Sequence, residues 1–185
     1  MCGSVNAMRP VVGSVEPVAD LITRAFHDDP PPVWWYPDPV ERDEQMAAFW
    51  RAIARAGLAA GDGLMSEDGD AVALYVPPGK AVDESLHAEA MQEPHWELYC
   101  VAVAPASQGR GLGIALVEEM TLRARRDGVP CFLLTAAERN VSFYERRGYH
   151  APSRPLCLTA RCRLGPCAST ELSRVGGERP ARHGL

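Results

Sequence analysis

The sequence predicts a single-domain α/β fold with an atypical C-terminal tail, and three observations carry that prediction. Apolar runs of strand length alternate with segments whose apolar residues recur at helical spacing. One apolar run, Trp96 to Ala104, passes through Pro105 into the glycine-rich stretch Gln108-Gly109-Arg110-Gly111-Leu112-Gly113 and straight onto an amphipathic segment. The chain has 185 residues and is 46% hydrophobic, enough for one domain with a sizeable core.

Taken in order, Arg9 to Val12 predicts a first strand, and Val18, Leu21, Ile22 and Ala25 then repeat as one helix face. His27 to Pro39 holds Pro30, Pro31, Pro32, Pro37 and Pro39, a density that predicts neither helix nor central strand. Met46, Phe49, Trp50, Ile53, Ala54 and Gly57 resume a helical face. Asp62-Gly63 and Asp68-Gly69 punctuate a hairpin of Leu64 to Glu67 and Ala71 to Val76. After Pro77-Pro78-Gly79 comes a short helix with Leu86, Ala90 and Met91.

Trp96 to Ala104 is nearly continuous in apolar residues, as a strand covered on both faces should be. Gly111 to Asp127 predicts a helix with Arg123, Arg125 and Arg126 in its last turn, where cations suit the negative end of the dipole. Gly128 and Pro130 end it, Cys131 to Thr135 is the next strand, and Arg139 to Arg147 is a short helix closed by Gly148. No repeat or internal boundary divides residues 9–150. Residues 151–185 differ in kind, with arginines scattered among Pro, Gly, Ser and Cys, and only Leu156, Leu158 and Leu164 hinting at a strand. Lys80 is the only lysine among 19 basic residues, which suggests a GC-rich gene. The tail reads as a divergent end, a disordered end, or the product of a shifted reading frame.

Composition excludes several classes. A formal net charge of -5 argues against nucleic-acid binding, which needs a basic surface to neutralise phosphates. There is no apolar run of membrane-spanning length, and Met1 to Met8 lacks the basic start and apolar core of a signal peptide, so the expectation is a cytoplasmic protein. Cys100 and Cys131 sit in apolar strands as small hydrophobes, no C-x-x-C pair occurs, and the spacing of Cys157, Cys162 and Cys167 matches no metal motif; no metal is expected.

The glycine stretch is an anion cradle. Gly109, Gly111 and Gly113 leave successive backbone N–H groups and a helix N-terminus free to close on a phosphate or pyrophosphate. The dinucleotide fingerprint G-x-G-x-x-G/A fails in both registers, since Ile114 and Leu116 stand where its last small residue belongs. The nucleotide P-loop fails for want of its lysine.

Q-x-x-G-x-G after an apolar strand, here Gln108 to Gly113, resembles the coenzyme-A loop of the GCN5-related N-acetyltransferase (GNAT) superfamily. Asn140-Val141-Ser142-Phe143-Tyr144-Glu145-Arg146-Arg147-Gly148-Tyr149 is similar to the N-x-x-F-Y-x-x-x-G-[FY] block that follows the next strand in that family. The resemblance covers residues 9–150 and implies a mixed central sheet flanked by helices, with acetyl-coenzyme A as co-substrate. Gly128-Val129-Pro130, Arg139-Asn140 and Phe143 to Arg146 are further similar to the puromycin N-acetyltransferase branch, from which the chain departs between Pro77 and Pro94 and after His150.

What the resemblance implies for individual residues follows. Main-chain groups of Val101, Ala102 and Val103 would pair with the pantetheine arm, while Gln108, Gly109, Arg110, Gly111, Leu112 and Gly113 hold the pyrophosphate. Asn140 either bonds the pantetheine arm or caps a helix. Tyr144 matches the tyrosine near the thioester sulfur, a general acid for the departing thiolate, or else packs a helix on the sheet. Glu97 lies eleven residues before Gln108, the offset of the catalytic glutamate in the histone-acetyltransferase branch, and is either a base acting through water or a solvated strand-end residue. Strand alternation sets Glu97, Tyr99, Val101 and Val103 on one face.

Trp34, Trp35 and Tyr36 form either the wall of an acceptor pocket or an aromatic plug over the first helix. The expected acceptor is a small-molecule primary amine, and the protein a monomer or homodimer. A non-catalytic acyl-coenzyme-A binder or sensor is the competing class, and a protein-directed acetyltransferase a third.

Overall fold

The computed structural model describes residues 7–82, 94–135, 137–150 and 170–174, the last segment as backbone. The helix expected around Leu86 and the strand hinted at by Leu156 to Leu164 lie outside them. A six-stranded sheet runs in chain order, β1 (Met8–Pro10), β2 (Asp62–Ser66), β3 (Ala71–Val76), β4 (Trp96–Val103), β5 (Cys131–Thr135) and β6 (Thr170–Arg174). Every neighbouring pair is antiparallel except β4 and β5, which are parallel and therefore need a helical crossover. The sheet is thus mixed, as expected.

Helices α1 (Glu16–Phe26) and α3 (Pro39–Ala60) cover one face. Asp38 begins α3, its carboxylate accepting from the N–H groups of Val40 at 2.9 Å and Glu41 at 3.0 Å. Val18, Leu21, Ile22 and Ala54 pack there on Val72, Leu74, Cys100 and Ala102. Gly57 lets α3 lie this close: a Cβ on it would stand 2.9 Å from both Leu74 Cδ1 and Tyr99 Cδ1. The other face is covered by α4 (Leu112–Asp127) and α5 (Glu138–Glu145), where Leu112, Leu116, Met120, Tyr144 and Tyr149 pack on Ala71, Ala73, Tyr75, Trp96 and Leu98.

Three expectations need correction. The proline-rich segment does hold a helix, α2 (Pro30–Trp35), because its prolines occupy the first turn, where no N–H is needed and φ is already helical. The tail contributes a strand where the sequence pattern marks none: Thr170–Arg174 pair with all five residues of β5. Thirdly, the two-residue alternation of β4 breaks. Leu74 faces Cys100 while Tyr75 faces Leu98, which makes Tyr99 the extra residue of a bulge. Tyr99 therefore packs on the α1/α3 face with Cys100 and Ala102, and Val101 and Val103 move to the α4/α5 face with Trp96 and Leu98.

Candidate active site

The bulge coincides with a parting of the sheet. β4 and β5 are paired only at Trp96, Glu97 and Leu98 with Cys131, Phe132 and Leu133. The pairing stops at Leu98, and a cavity of about 490 Å³ opens against the C-terminal part of β4. Val101, Ala102 and Val103 form its strand wall. Among the described residues no strand pairs with that edge of β4 past Leu98, the arrangement an extended ligand needs.

The glycine loop forms a second wall, with Gln108, Gly109, Gly111, Leu112 and Gly113 all lining the cavity. A short 3-10 turn, Pro105–Ser107, carries the chain off β4. Gly109 at φ 79° and Gly111 at φ 85° then turn it through left-handed conformations that side chains disfavour. Gly111 is the N-cap of α4, so the first-turn N–H groups of a 16-residue helix meet the cavity with no acceptor of their own in the helix. Gln108 folds back, Nε2 donating to the Val103 carbonyl at 3.4 Å. Arg110 does not line the cavity; its guanidinium turns to the hairpin between β2 and β3, 3.0 Å from Ser107 Oγ and 3.7 Å from carboxylate oxygens of Asp68 and Asp70.

The third wall comes from α5. Asn140 lies in its first turn, and Nδ2 donates to Thr135 Oγ1 at 3.4 Å. The N-cap is Ala137, without a side-chain cap bond, which removes the capping alternative for Asn140. Tyr144, also on the cavity wall, is 5% exposed and meets Phe143 and Tyr149 edge-on at ring distances of 5.0 and 5.9 Å. Burial raises its phenol pKa, so it is a neutral donor at ordinary pH. Arg139, Arg146 and Arg147 line the same wall and bring cationic charge to it. Arg147 lies with its guanidinium carbon 3.7 Å over the Phe143 ring.

The expected residues do not all gather here. Glu97 is buried in β4 just before the bulge and is not part of the cavity wall. Trp34, Trp35 and Tyr36 also stand outside it; Trp35 packs edge-on against Phe49 of α3, at 5.9 Å. The end of α1 and the turn after it reach the cavity through Ala25, Phe26 and Asp29 instead. Asp29 belongs to no motif in the sequence, yet it is half-buried and paired with Arg139 across the opening. Its partner lies 110 residues away, and no local pattern could have announced the pair.

Among the described residues no group of three His, Cys, Asp or Glu could hold a metal, and no helix is long and apolar enough to cross a membrane. A donor with a pyrophosphate and an extended amide-bearing arm fits the walls present: glycine N–H groups for the phosphates, arginines nearby, and a free strand edge beside the arm. A Cβ on Gly109 would meet nothing within 4 Å, so the space over the loop is open.

Comparison with known proteins agrees with this geometry. Residues 79–151 match the family model of the acetyltransferase (GNAT) domain. The fold is similar to that of a Corynebacterium glutamicum protein described as histone acetyltransferase HPA2 and related acetyltransferase, with a TM-score of 0.69 at 23% identity over 95% of this chain and 98% of that one. It is also similar to the ribosomal-protein-S18-alanine N-acetyltransferase of Escherichia coli, with a TM-score of 0.56 at 16% identity over 97% and 99%. The GNAT family N-acetyltransferase YhbS of Escherichia coli, solved in complex with CoA, gives a TM-score of 0.56 at 15% identity over 91% and 79%. Residues 79–151 thus match the acetyltransferase domain of the GNAT superfamily, within a chain that has the GNAT fold.

Proposed function

We propose that this protein moves an acetyl group from acetyl-coenzyme A to a primary amine of a small molecule. The observation that carries the proposal is the single cavity that joins the open edge of β4, the left-handed glycine loop at the N-terminus of α4, and Tyr144. Acetyl-coenzyme A supplies the activated acetyl group. The chain supplies placement and protons.

In this mechanism the loop N–H groups hold the pyrophosphate, and main-chain groups of Val101 and Val103 align the pantetheine arm along β4. Asn140 steadies that arm from the α5 side. Glu97 takes the proton from the acceptor ammonium through a water, since it stands behind the bulge rather than on the wall. Tyr144 gives its proton to the departing thiolate, a role open to a buried phenol that stays neutral.

The test is release of the coenzyme-A thiol from acetyl-coenzyme A over a panel of amines. Amine-dependent release supports the proposal. Binding of acetyl-coenzyme A with no release on any amine would replace it with the acyl-coenzyme-A sensor.

A further inference from the structure

The glycine loop is tied to the β2–β3 hairpin by a polar network that the acetyl-transfer chemistry leaves unused. Antiparallel pairing of β3 with β4 sets Ala71 beside Val103, which brings the hairpin turn against the segment that leaves β4 for the loop. There the Ala104 N–H donates to the Asp70 carbonyl at 2.7 Å. Ser107, only 4% exposed, donates its hydroxyl to Asp70 Oδ2 at 2.5 Å. Arg110 Nη1 donates to the same Ser107 Oγ at 3.0 Å, and its guanidinium lies 3.7 Å from both Asp68 and Asp70. The turn is itself fixed, because Ser66 Oγ donates to Asp68 at 2.6 Å and accepts from the N–H groups of Asp70 at 3.0 Å and Ala71 at 2.9 Å.

Ser107 and Arg110 flank Gln108 and Gly109 on both sides. One carboxylate thus grips each end of the segment that must hold its N–H groups on a phosphate. A glycine-rich loop has more backbone freedom to lose than any other when it closes on a ligand, so holding it in advance raises affinity. The carboxylates also keep the Arg110 side chain off the cavity wall.

We propose that Asp70 is a positioning residue for the donor's pyrophosphate: through Ser107 and Arg110 it sets the conformation of the glycine loop without touching the donor. The proposal rests on the acetyl-coenzyme-A reading of the cavity. It predicts a defect confined to donors that carry a pyrophosphate.

The experiment compares acetyl-coenzyme A with S-acetylpantetheine, which has the same arm and thioester but no pyrophosphate. In Asp70→Ala the KM for acetyl-coenzyme A should rise about 10-fold, the scale of a lost charge-assisted hydrogen bond, while kcat and the amine KM change by less than about twofold. With S-acetylpantetheine, kcat/KM should stay within about twofold of wild type. Ser107→Ala, which keeps the carboxylate and removes the link, should repeat the pattern, and the double variant should be no worse than either single one. Equal losses with both donors would show a merely structural role and overturn the proposal, as would an unchanged KM for acetyl-coenzyme A. A wild-type protein that binds neither donor would instead overturn the acetyl-transfer reading, and this proposal with it.

Discussion

Asp29 and Arg139 form an ion pair that ties the turn after α1 to the first turn of α5 across the mouth of the cavity. Burial is the largest influence on Asp29 and raises its carboxyl pKa, with Arg139 pulling the other way. The ionised form is therefore costly in the folded protein despite its partner.

The first prediction concerns that cost. A carboxyl whose pKa is raised on folding contributes stability at low pH and loses it as pH rises through the folded value. Asp29→Asn should accordingly melt at the same or a higher temperature than wild type at neutral pH, and the difference should shrink as pH falls toward the usual carboxylate range. A variant that melts lower at neutral pH would show that the bond to Arg139 outweighs desolvation.

A second prediction tests the cradle. Acetyl-coenzyme A should raise the melting temperature of the protein, because a ligand that binds only the native state stabilises it by mass action. Gly111→Val should abolish that shift, since valine disfavours a φ of 85° and its side chain would crowd the first N–H groups of α4. A normal shift in the variant would remove the pyrophosphate from this loop.

Turnover tests the proton donor and the base. Tyr144→Phe keeps the ring contacts with Phe143 and Tyr149, so fold and donor affinity should survive while kcat falls by about 10- to 100-fold, the usual scale for a positioned acid. Unchanged kcat with the best amine would reduce Tyr144 to packing. Glu97→Gln should lower the rate most at low pH, where the acceptor is hardest to deprotonate, and a defect independent of pH would count against a base there.

The fourth prediction is an alkaline limit to stability. Burial pushes the Cys100 thiol up to about 12 and raises the Tyr75 phenol as well as that of Tyr144. Each is held neutral by the fold, so its contribution is complete below the unfolded value, about 8.5 for a thiol and 10 for a phenol, and is lost as pH rises beyond it. The urea midpoint should stay flat near neutrality and fall above roughly pH 9, with Cys100→Ala delaying the onset. An identical profile in that variant would place the loss elsewhere.

The sequence made the walls of the cavity legible in unequal measure. β5 and α4 follow directly from composition, a run of four apolar residues ending in Thr135 and an amphipathic helix capped by Gly128 in a left-handed conformation. The glycine loop and the Asn140 to Tyr149 block fall on the cavity because their residue types are needed in place. The bulge at Tyr99 left no mark, since one extra residue within a continuous apolar run changes no pattern. It reversed the faces of Val101 and Val103 all the same. α2 was hidden by treating prolines as breakers where they start a helix. β6 was hidden by its polar sequence Thr-Glu-Leu-Ser-Arg, and the bonds of Ser107 and Asp29 to distant partners are tertiary facts with no local trace.

The short union of β4 with β5 has a mechanical consequence. Among the described residues, three residue pairs make the strand contact between the part of the sheet built from β1 to β4 and the part built from β5 and β6. The sheet is therefore two plates joined along a narrow seam, with the α4 crossover packed on strands from both of them. A ligand lying along the open edge of β4 and touching α5 fastens one plate to the other. Its arrival should therefore restrain β5 and α5 relative to β4, so that occupancy and stiffness rise together.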